Sequence, residues 1–328
     1  MNKAVRSSMV APRGRVLVTG LNGFTGGHLD ARLSETGFEV HGTVKADEKD
    51  GIRHHHADLD DLPALRKVVR CVRPTHVVHL AAVAFVAHDD VQEIYQTNVV
   101  GTRNLLAALV DHDSTRTAIK TVLLASSANI YGNTAMDPID EEQPARPAND
   151  YAVSKIAMEH MAKLWSGRLP LSIVRPFNYT GVGQSKQFLI PKIVDAFARR
   201  ASELEIGNVD IERDFSDVRD VVAAYEALLD CPNRDTFNVC SGRATSLKEI
   251  LLVCEELTGH SIKLRVNPAF VRTNEVRRLR GSNARLRQLL PAWAPRSIRE
   301  TLRWMLDDLE RRVPTESEGG VRRSLDHP

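Results

Sequence analysis

Short apolar runs alternate with amphipathic stretches through the first half of the chain. The run RVLVTG (15–20) is rich in β-branched residues, and HLDARLSETG after it has helical periodicity and ends on Gly37. The alternation continues and predicts strands over 38–44, 52–59, 75–82, 118–127 and 171–178, with helices over about 60–72, 89–110 and 150–166. Alternating strands and helices indicate parallel pairing through right-handed crossovers. We therefore predict an α/β fold with a doubly wound parallel sheet of Rossmann type.

The second half of the chain has a less regular pattern, which predicts a smaller C-terminal substrate-binding lobe. One helix over about 188–201 lies among polar loops, helix and strand then resume, and 262–297 is irregular and rich in arginine. We expect this division: a flexible leader over 1–14, a dinucleotide-binding domain over 15–176 with returning segments 215–261 and 298–311, a substrate lobe from 177–214 and 262–297, and a flexible tail over 312–328.

The composition narrows the range of partners. Of 328 residues, 42% are hydrophobic and 26% are charged, which is ordinary for a folded protein. Lys and Arg total 44 against 42 Asp and Glu, so the net charge of +2 provides no strong field to attract nucleic acid or an anionic membrane. The four cysteines lack metal-ligand spacing, and the histidines at 54–56 would alternate between the two faces of a strand, so we expect no bound metal. Reduced cysteines and the absence of a stretch of ~20 apolar residues predict a cytoplasmic protein.

A glycine-rich turn connects the first strand to the first helix. Gly20, Gly23 and Gly26 in TGLNGFTG stand where the backbone must turn sharply, approach a pyrophosphate and pack helix on strand, and each requirement excludes a Cβ. The helix N-terminus then offers free N–H groups and a positive dipole end to phosphates. This arrangement predicts a bound dinucleotide.

The residue after the second strand bears on the choice between NAD and NADP. In dinucleotide-binding folds an acidic residue there binds the ribose 2′-OH, whereas a basic residue favours a 2′-phosphate. The strand ends in Thr43, Val44 and Lys45, with no acid at the expected position. Asp47 and Glu48 follow closely, and Lys45 could also be a solvated loop residue. The sequence therefore favours NADPH over NADH by a small margin and leaves both open.

Three residues form a candidate catalytic set. Tyr151 and Lys155 lie four apart at the start of a predicted helix, so their side chains share one face. A phenol, whose pKa is normally about 10, exchanges protons poorly near neutral pH unless a cation favours its ionised form, and Lys155 can supply that charge. Ser127 ends the buried strand VLLASS, at the edge where doubly wound sheets bind ligands. Its hydroxyl could donate a hydrogen bond to a substrate oxygen beside the phenol.

These motifs, in this order, resemble the extended short-chain dehydrogenase/reductase family of sugar-nucleotide epimerases, dehydratases and reductases. The similarity runs from about Arg15 to Leu309, which is nearly the whole chain. The motifs that carry it are TGLNGFTG (19–26), DL (58–59), HLAA (79–82), NVVGTRNLL (98–106), SSANIYG (126–132), YAVSK (151–155), RPFN (175–178), RDFSDVRDV (213–221) and FNVCSG (237–242). The resemblance implies a nucleotide-sugar substrate and a homodimer formed through the helices over 89–110 and 150–166.

The resemblance also implies a role for each matching residue. Tyr151 would act as acid/base, Lys155 would bind the nicotinamide ribose and lower the pKa of the tyrosine, and Ser127 would orient the sugar 4-oxygen. Further cofactor contacts would come from Gly20, Gly23, Phe24, Gly26, Lys45, Asp58, Leu59 and Ala81. Asn98 would support the helix beside the site.

Residue 129 distinguishes among the reactions of the family. The 4,6-dehydratases have a glutamate two residues before the tyrosine of the YG pair, and the GDP-fucose-forming enzymes have a cysteine there. This chain has Asn129, and an amide cannot accept a proton from carbon at useful rates. The reactions of the dehydratases and of the GDP-fucose-forming enzymes both remove a proton from carbon, and this chain lacks the base for that step. Hydride transfer at C4 is therefore the reaction that we expect. Asn129 and Asn178 are expected beside the substrate.

Three stretches resemble the branch of the family that acts on GDP sugars: GVGQ (181–184), FLIPKIV (188–194) and VRTNEVRRLRGSNARL (271–286). This resemblance implies that Lys192 and Glu275 contact the guanine region and that Arg213 and Arg272 contact the diphosphate, whose oxygens a guanidinium can pair two at a time. Three other arginines are more typical of a solvated basic loop: Arg277, Arg278 and Arg280.

The expected activity is the NAD(P)H-dependent reduction of a nucleotide-linked 4-keto-6-deoxy sugar, in particular of GDP-4-keto-6-deoxy-D-mannose to GDP-D-rhamnose. A UDP-hexose 4-epimerase, which uses the same Tyr, Lys and Ser, is the first alternative, and a GDP-mannose 4,6-dehydratase-like enzyme is another. A non-catalytic NAD(P)-binding scaffold is the alternative from a different class, and the complete catalytic set argues against it.

Overall fold

The computed structural model describes residues 12–45, 51, 53–83, 90–113, 119–208, 211–231, 234–267 and 278–312. The strands in these ranges are β1 (Arg15–Thr19), β2 (Glu39–Val44), β3 (His54–His56), β4 (His76–His79), β5 (Thr121–Ala125), β6 (Leu171–Pro176), β7 (Asn178–Thr180), β8 (Glu203–Ile206), β9 (Glu212–Asp217), β10 (Thr236–Val239), β11 (Ala244–Ser246), β12 (Lys263–Val266) and β13 (Arg278–Leu279). The helices are α1 (Phe24–Glu35), α2 (Leu62–Val72), α3 (Val91–Tyr95), α4 (Thr102–Asp113), α5 (Asp150–Lys163), α6 (Leu189–Ala198), α7 (Val218–Leu229), α8 (Leu247–Thr258), α9 (Ala284–Leu289) and α10 (Ile298–Arg312).

Seven strands form the main sheet, in the order β3-β2-β1-β4-β5-β6-β10. Every pair in it is parallel, as the alternation of elements predicted. The strand order reverses direction between β1 and β4, and ligands of doubly wound sheets bind beyond the carboxyl ends of the strands at such a point. The fold class expected from the sequence is therefore confirmed.

Both faces of the sheet are covered by helices. On β1, Val16 and Val18 point to the core shared with α1 and α7, whereas Leu17 points to the opposite core with α2, α4 and α5. This alternation follows from the period of two in a strand. The predicted helix over 89–110 consists of α3, a π-helical segment (Gln96–Gly101) and α4.

The lobe is built around β9, which has β11 and β13 on its two sides and also pairs with β7. A third apolar core joins α6, α8 and α10, with Ile193, Ile250 and Leu302 among its fully buried members. Helices α8 and α10 lie in segments that the sequence assigned to the dinucleotide-binding domain, yet they pack on a helix of the lobe. The division of the chain into ranges remains a prediction.

Two local predictions differ from the structure. The stretch FSDVRDVVAAYEALL (215–229) has the pattern of a helix from its first residue, but residues 212–217 form β9 and α7 begins at Val218. Pairing with β7 and β11 decides this segment, and the Asp217 side chain caps α7 by accepting the backbone N–H of Arg219 at 2.8 Å. The segment expected to be irregular, 262–297, contains β12, β13 and α9 in its described part. Among the described residues, no helix combines the length and apolar character that crossing a bilayer requires.

Candidate active site

The glycine turn after β1 has the geometry of a phosphate cradle. Gly20 has a positive φ of 73°, and a Cβ there would lie 3.0 Å from the backbone of Ala81. A Cβ on Gly26 would lie 2.3 Å from the carbonyl oxygens of Gly20 and Leu21. Helix α1 starts after Gly23 without any side-chain cap, so its first N–H groups are available to an anion. The cradle therefore fits the pyrophosphate of a dinucleotide.

A buried histidine joins this turn to the neighbouring elements. His79, at the end of β4, has Nδ1 2.7 Å from the Thr19 hydroxyl and Nε2 2.8 Å from the Thr102 hydroxyl. Thr102 donates its own proton to the Asn98 carbonyl, so it accepts from Nε2–H, and Nδ1 accepts from Thr19. Burial lowers the pKa of His79 to about 3, so the ring is neutral. Thr19 also accepts the Ala81 N–H, which connects the turn to β4.

Other expected cofactor contacts lie at the carboxyl ends of the first strands. Lys45 directly follows β2, is exposed, and its carbonyl accepts from His56 at 3.0 Å. Asp58 and Leu59 follow β3, and the Leu59 carbonyl accepts from the Asn104 amide. The acids at 47 and 48, which complicated the choice of cofactor, lie outside the described residues.

The phenol and its two partners come together as expected from the spacing. Helix α5 is capped by Asn149, and the buried side chains of Tyr151 and Lys155 project from its first turns toward the end of β5. The Ser127 hydroxyl lies beside the Tyr151 phenol and favours its ionised form. The Lys155 Nζ lies 6.0 Å from the centroid of the Tyr151 ring and donates to the Ala125 carbonyl at 2.8 Å.

The pKa of Tyr151 differs from the lowered value that we expected. Burial raises the pKa of Tyr151 to about 12, while the nearby Ser127 hydroxyl acts in the opposite direction. The expected lowering is absent because the phenol is desolvated and the Lys155 ammonium bonds to a carbonyl instead of the phenol oxygen. Burial lowers the pKa of Lys155 to about 8, and Glu159 opposes that change. A neutral phenol at physiological pH is the form that can donate a proton.

A buried ion pair beneath the site was not found from the sequence. Arg175 of β6 donates from Nε to Glu159 Oε1 at 3.0 Å and from a terminal nitrogen to Oε2 at 2.7 Å. Glu159 also accepts from the Ser126 hydroxyl at 2.5 Å, and Arg175 donates to the Tyr131 hydroxyl at 2.9 Å. A signal was present, because Arg175 interrupts an apolar strand and Glu159 stands one turn after Lys155. Buried charges of this kind are paired.

The asparagines expected at the substrate take different positions. The Asn129 N–H donates to the Ser127 hydroxyl at 3.1 Å, inside a 3₁₀ turn over Ala128–Tyr131. The Asn178 Nδ2 is buried and has no hydrogen-bond partner within the described parts of the chain, as suits a donor awaiting a ligand oxygen. Asn98 bonds to the Val83 backbone and to Ser154, in agreement with a supporting role. Phe24 stacks on Tyr179 at 6.1 Å.

Only two of the four residues predicted to contact the nucleotide lie in the described part of the chain. Arg272 and Glu275 lie outside the described residues, as does Arg277. Lys192 donates to the Glu205 carbonyl at 2.7 Å, and Arg213 donates to the Glu212 carbonyl at 3.0 Å.

Two of the arginines expected in a solvated basic loop are exposed to solvent and also form ion pairs. Arg278 binds Asp137 at 3.0 Å and Glu212 at 3.1 Å, and Arg280 binds Asp137 at 2.6 Å. They are partly exposed, but they join β13 to the loop before α5. Over the described ranges, no group of three His, Cys, Asp or Glu side chains could hold a metal ion.

The doubly wound sheet, the glycine cradle and the Ser–Tyr–Lys contacts together define a dinucleotide-binding α/β protein of the short-chain dehydrogenase/reductase type. Comparison with known sequences then narrows this class. The profile of the family described as GDP-mannose 4,6 dehydratase matches residues 17–305, and the chain belongs to that family. The family resemblance inferred from the motifs is thereby confirmed.

Two curated relatives are similar over nearly their whole length. GDP-6-deoxy-D-mannose reductase of Pseudomonas aeruginosa is 36% identical over 92% of this chain and 99% of its own. GDP-6-deoxy-D-talose 4-dehydrogenase of Aggregatibacter actinomycetemcomitans is 32% identical over 84% of this chain and 91% of its own.

Solved structures give the same fold. A crystal structure of a proposed epimerase from Burkholderia cenocepacia J2315 is 47% identical, with a TM-score of 0.86 over 92% of this chain and 100% of its own. RMD from Pseudomonas aeruginosa in complex with NADPH is 34% identical, with a TM-score of 0.78 over 92% of this chain and 98% of its own.

Proposed function

We propose that the chain is an NAD(P)H-dependent reductase acting at C4 of a GDP-linked 4-keto-6-deoxy sugar, with GDP-4-keto-6-deoxy-D-mannose reduced to GDP-D-rhamnose. The observation that carries this proposal is the buried, neutral Tyr151 with Ser127 and Lys155 beside it, next to the glycine cradle. The names of the two curated relatives support it, because both refer to GDP-linked 6-deoxy sugars.

In this proposal each side chain of the set has a task in the reaction. The nicotinamide cofactor, when bound, supplies the hydride for the carbonyl carbon. Tyr151 donates its phenol proton to the oxygen that gains charge at C4, because its raised pKa keeps that proton in place. Ser127 orients the same oxygen through its hydroxyl. Lys155 provides positive charge near the phenolate that is left behind, which lowers the cost of that ion in a buried site.

Residue 129 favours reduction over dehydration. Dehydration needs a base that removes a proton from carbon, and the neutral amide of Asn129 cannot act as one. Its backbone N–H is bonded to the Ser127 hydroxyl, so the residue lies beside the catalytic set without adding a carboxylate there. This argues against a GDP-mannose 4,6-dehydratase, although the family takes its name from that enzyme.

The configuration of the product at C4 is a finer part of the proposal. Mannose and talose differ only at C4, so the two curated relatives correspond to opposite faces of one 4-keto sugar. We assign the manno product, GDP-D-rhamnose, because the reductase is the more similar over the larger share of the chain, at 36% over 92% against 32% over 84%.

A UDP-hexose 4-epimerase is the second candidate. It uses the same three side chains and needs no base at residue 129. The 47% identity to the proposed Burkholderia epimerase favours it. The epimerase of Thermus thermophilus solved with NAD is 27% identical, which gives weaker support.

Analysis of the reaction products separates these functions. The purified protein is incubated with NADPH and GDP-4-keto-6-deoxy-D-mannose, NADPH consumption is followed, and the product is identified by NMR. We expect GDP-D-rhamnose, formed with one NADPH per sugar. GDP-6-deoxy-D-talose would reverse the C4 assignment. In a parallel incubation with UDP-glucose and NAD, conversion to UDP-galactose without net reduction of the cofactor would establish the epimerase. Tyr151→Phe should lower kcat by ~100-fold or more while cofactor affinity changes little; near-normal turnover would remove the phenol from the mechanism.

The remaining parts of the proposal concern recognition and assembly. We propose that NADPH is preferred through Lys45, and that Lys192, Arg213, Arg272 and Glu275 contribute to the nucleotide end of the site. We also propose a cytoplasmic homodimer. Exposed apolar side chains on the helices expected at its interface support the dimer: Val91, Val100 and Val153 are 43%, 40% and 36% exposed.

A further inference from the structure

One face of α5 contacts three consecutive residues at the end of β5. Tyr151 faces Ser127, Lys155 donates to the Ala125 carbonyl, and Glu159 accepts from the Ser126 hydroxyl. These helix residues are four apart, so their side chains form one row along the helix. The first two belong to the proposed reaction, and the third has no part in it.

Glu159 is an unusual residue for its position. Its side chain is only 1% exposed, although an isolated carboxylate is expensive to bury. Arg175 compensates it through two hydrogen bonds of 3.0 and 2.7 Å, and the Ser126 hydroxyl supplies a third at 2.5 Å. Arg175 in turn donates to the Tyr131 hydroxyl, which bonds to Asn238 of β10. The carboxylate is thus held rigidly one helical turn from Lys155.

We propose that Glu159 is a positioning residue of the active site: its fixed negative charge keeps the buried Lys155 ammonium charged, and its bond to Ser126 holds the strand end that carries Ser127. The role is exerted through Lys155 and Ser127, without contact with substrate.

The charged and titratable groups around Lys155 are consistent with this role. On α5 itself these are Tyr151 and Glu159, from β4 the neutral His79 faces it, and from β6 comes Arg175, which is paired with Glu159. The end of β5 presents a carbonyl and hydroxyls. The π-helical segment contributes Asn98, an uncharged residue. Burial favours loss of the Lys155 proton, and of the described groups Glu159 is the one whose charge opposes this.

Lys155 has a pKa of about 8, whereas that of Tyr151 is about 12 and that of His79 about 3. Of these groups, only Lys155 therefore titrates in the mildly alkaline range. Loss of the Glu159 charge should move the Lys155 titration to lower pH. A larger share of the protein would then lack the cation beside the phenol at neutral pH.

The test is a direct titration of Lys155 by NMR. The full-length protein is labelled with ¹³C at lysine Cε, and the Lys155 signal is assigned by its loss in Lys155→Arg. We expect the midpoint in Glu159→Gln to fall by roughly one pH unit, the size of effect that a nearby opposite charge has. The alkaline limb of the kcat profile should shift by the same amount. That second readout rests on the proposed function, whereas the titration does not, so an absence of turnover would count against the function alone.

Two further variants separate charge from structure. Glu159→Gln leaves the Arg175 guanidinium unpaired and could unfold, so Glu159→Gln/Arg175→Met removes both charges at similar volume. Its midpoint should also fall, but by less than in Glu159→Gln, because the Arg175 cation that disfavours the Lys155 ammonium is removed as well. Ser126→Ala removes the contact to the strand without changing any charge, and its Lys155 midpoint should match wild type. An unchanged midpoint in the two Glu159 variants would overturn the proposal, and so would a Ser126→Ala shift as large as that of Glu159→Gln.

Discussion

Lys45 is the residue on which the choice of cofactor depends. It is exposed and directly follows β2, where dinucleotide-binding folds read the adenosine ribose. Because it is a lysine, it can pair with a 2′-phosphate but offers no acceptor to a 2′-hydroxyl. An acidic residue at position 45 would favour NADH over NADPH instead.

The substitution Lys45→Asp should therefore raise the KM for NADPH by about 10-fold or more, the worth of one charge-assisted hydrogen bond, and change the KM for NADH much less. Steady-state kinetics with each cofactor measures this, and NADH serves as the internal control. Equal effects on the two cofactors would show that Lys45 is only a solvated residue.

Strand β9 is joined to two other segments of the lobe by a single buried carboxylate. Asp214 accepts the N–H groups of Ser241 at 2.7 Å, Gly242 at 2.9 Å and Gly281 at 3.3 Å, and also the Ser241 hydroxyl at 2.6 Å. Burial raises the pKa of Asp214 to about 6 despite these bonds. Strand β9 pairs with β7 beside the catalytic set. The Asp214 side chain therefore holds this strand in place against the loop after β10.

Asp214→Asn should lower the free energy of unfolding by about 1–3 kcal/mol, because its amide nitrogen would face backbone N–H donors that now have an acceptor. Urea denaturation measures this loss. Asp137→Asn is the matched control: it removes a carboxylate whose side chain is 34% exposed and pairs with Arg278, so it should cost less than about 1 kcal/mol. Similar losses in both variants would contradict the role of Asp214.

The stability of the whole molecule should depend on pH through His79. Burial lowers its pKa to about 3, so the folded protein keeps the ring neutral where the unfolded chain, with a pKa near 6.5, takes up a proton. Stability contributed by the neutral ring is therefore present above about pH 6.5 and is lost as the pH falls. Asp214 acts in the opposite direction, because a raised pKa lets the folded protein take up a proton first as the pH falls through about 6.

Between pH 7.5 and pH 5, His79 should reduce the free energy of unfolding by about 2 kcal/mol. In His79→Gln, which retains a donor and an acceptor for the two threonines but does not titrate, this part of the decline should disappear. Urea denaturation at a series of pH values gives both curves. Curves that stay parallel from pH 7.5 to pH 5 would contradict the assignment.

Much of the fold and of the catalytic set could be predicted from the sequence because the relevant signals are local. Apolar runs alternating with helical patterns establish the order of elements, and that order restricts the sheet to parallel crossovers. The glycines at 20, 23 and 26 and the spacing of Tyr151 and Lys155 depend on turns and helical geometry within a few residues.

The remaining features depend on which elements become neighbours. The Glu159–Arg175 pair exists because β6 passes beside α5, and the strand conformation of 212–217 arises from pairing with β7 and β11. Lys192 donates to a carbonyl on β8, a contact that the pattern of its own helix does not reveal. Burial, which raises the pKa of Tyr151 to about 12 against the expected lowering, is also a property of the packed molecule. Local periodicity determined the elements and their order, whereas desolvation and the pairing of distant charges were decided only by the tertiary structure.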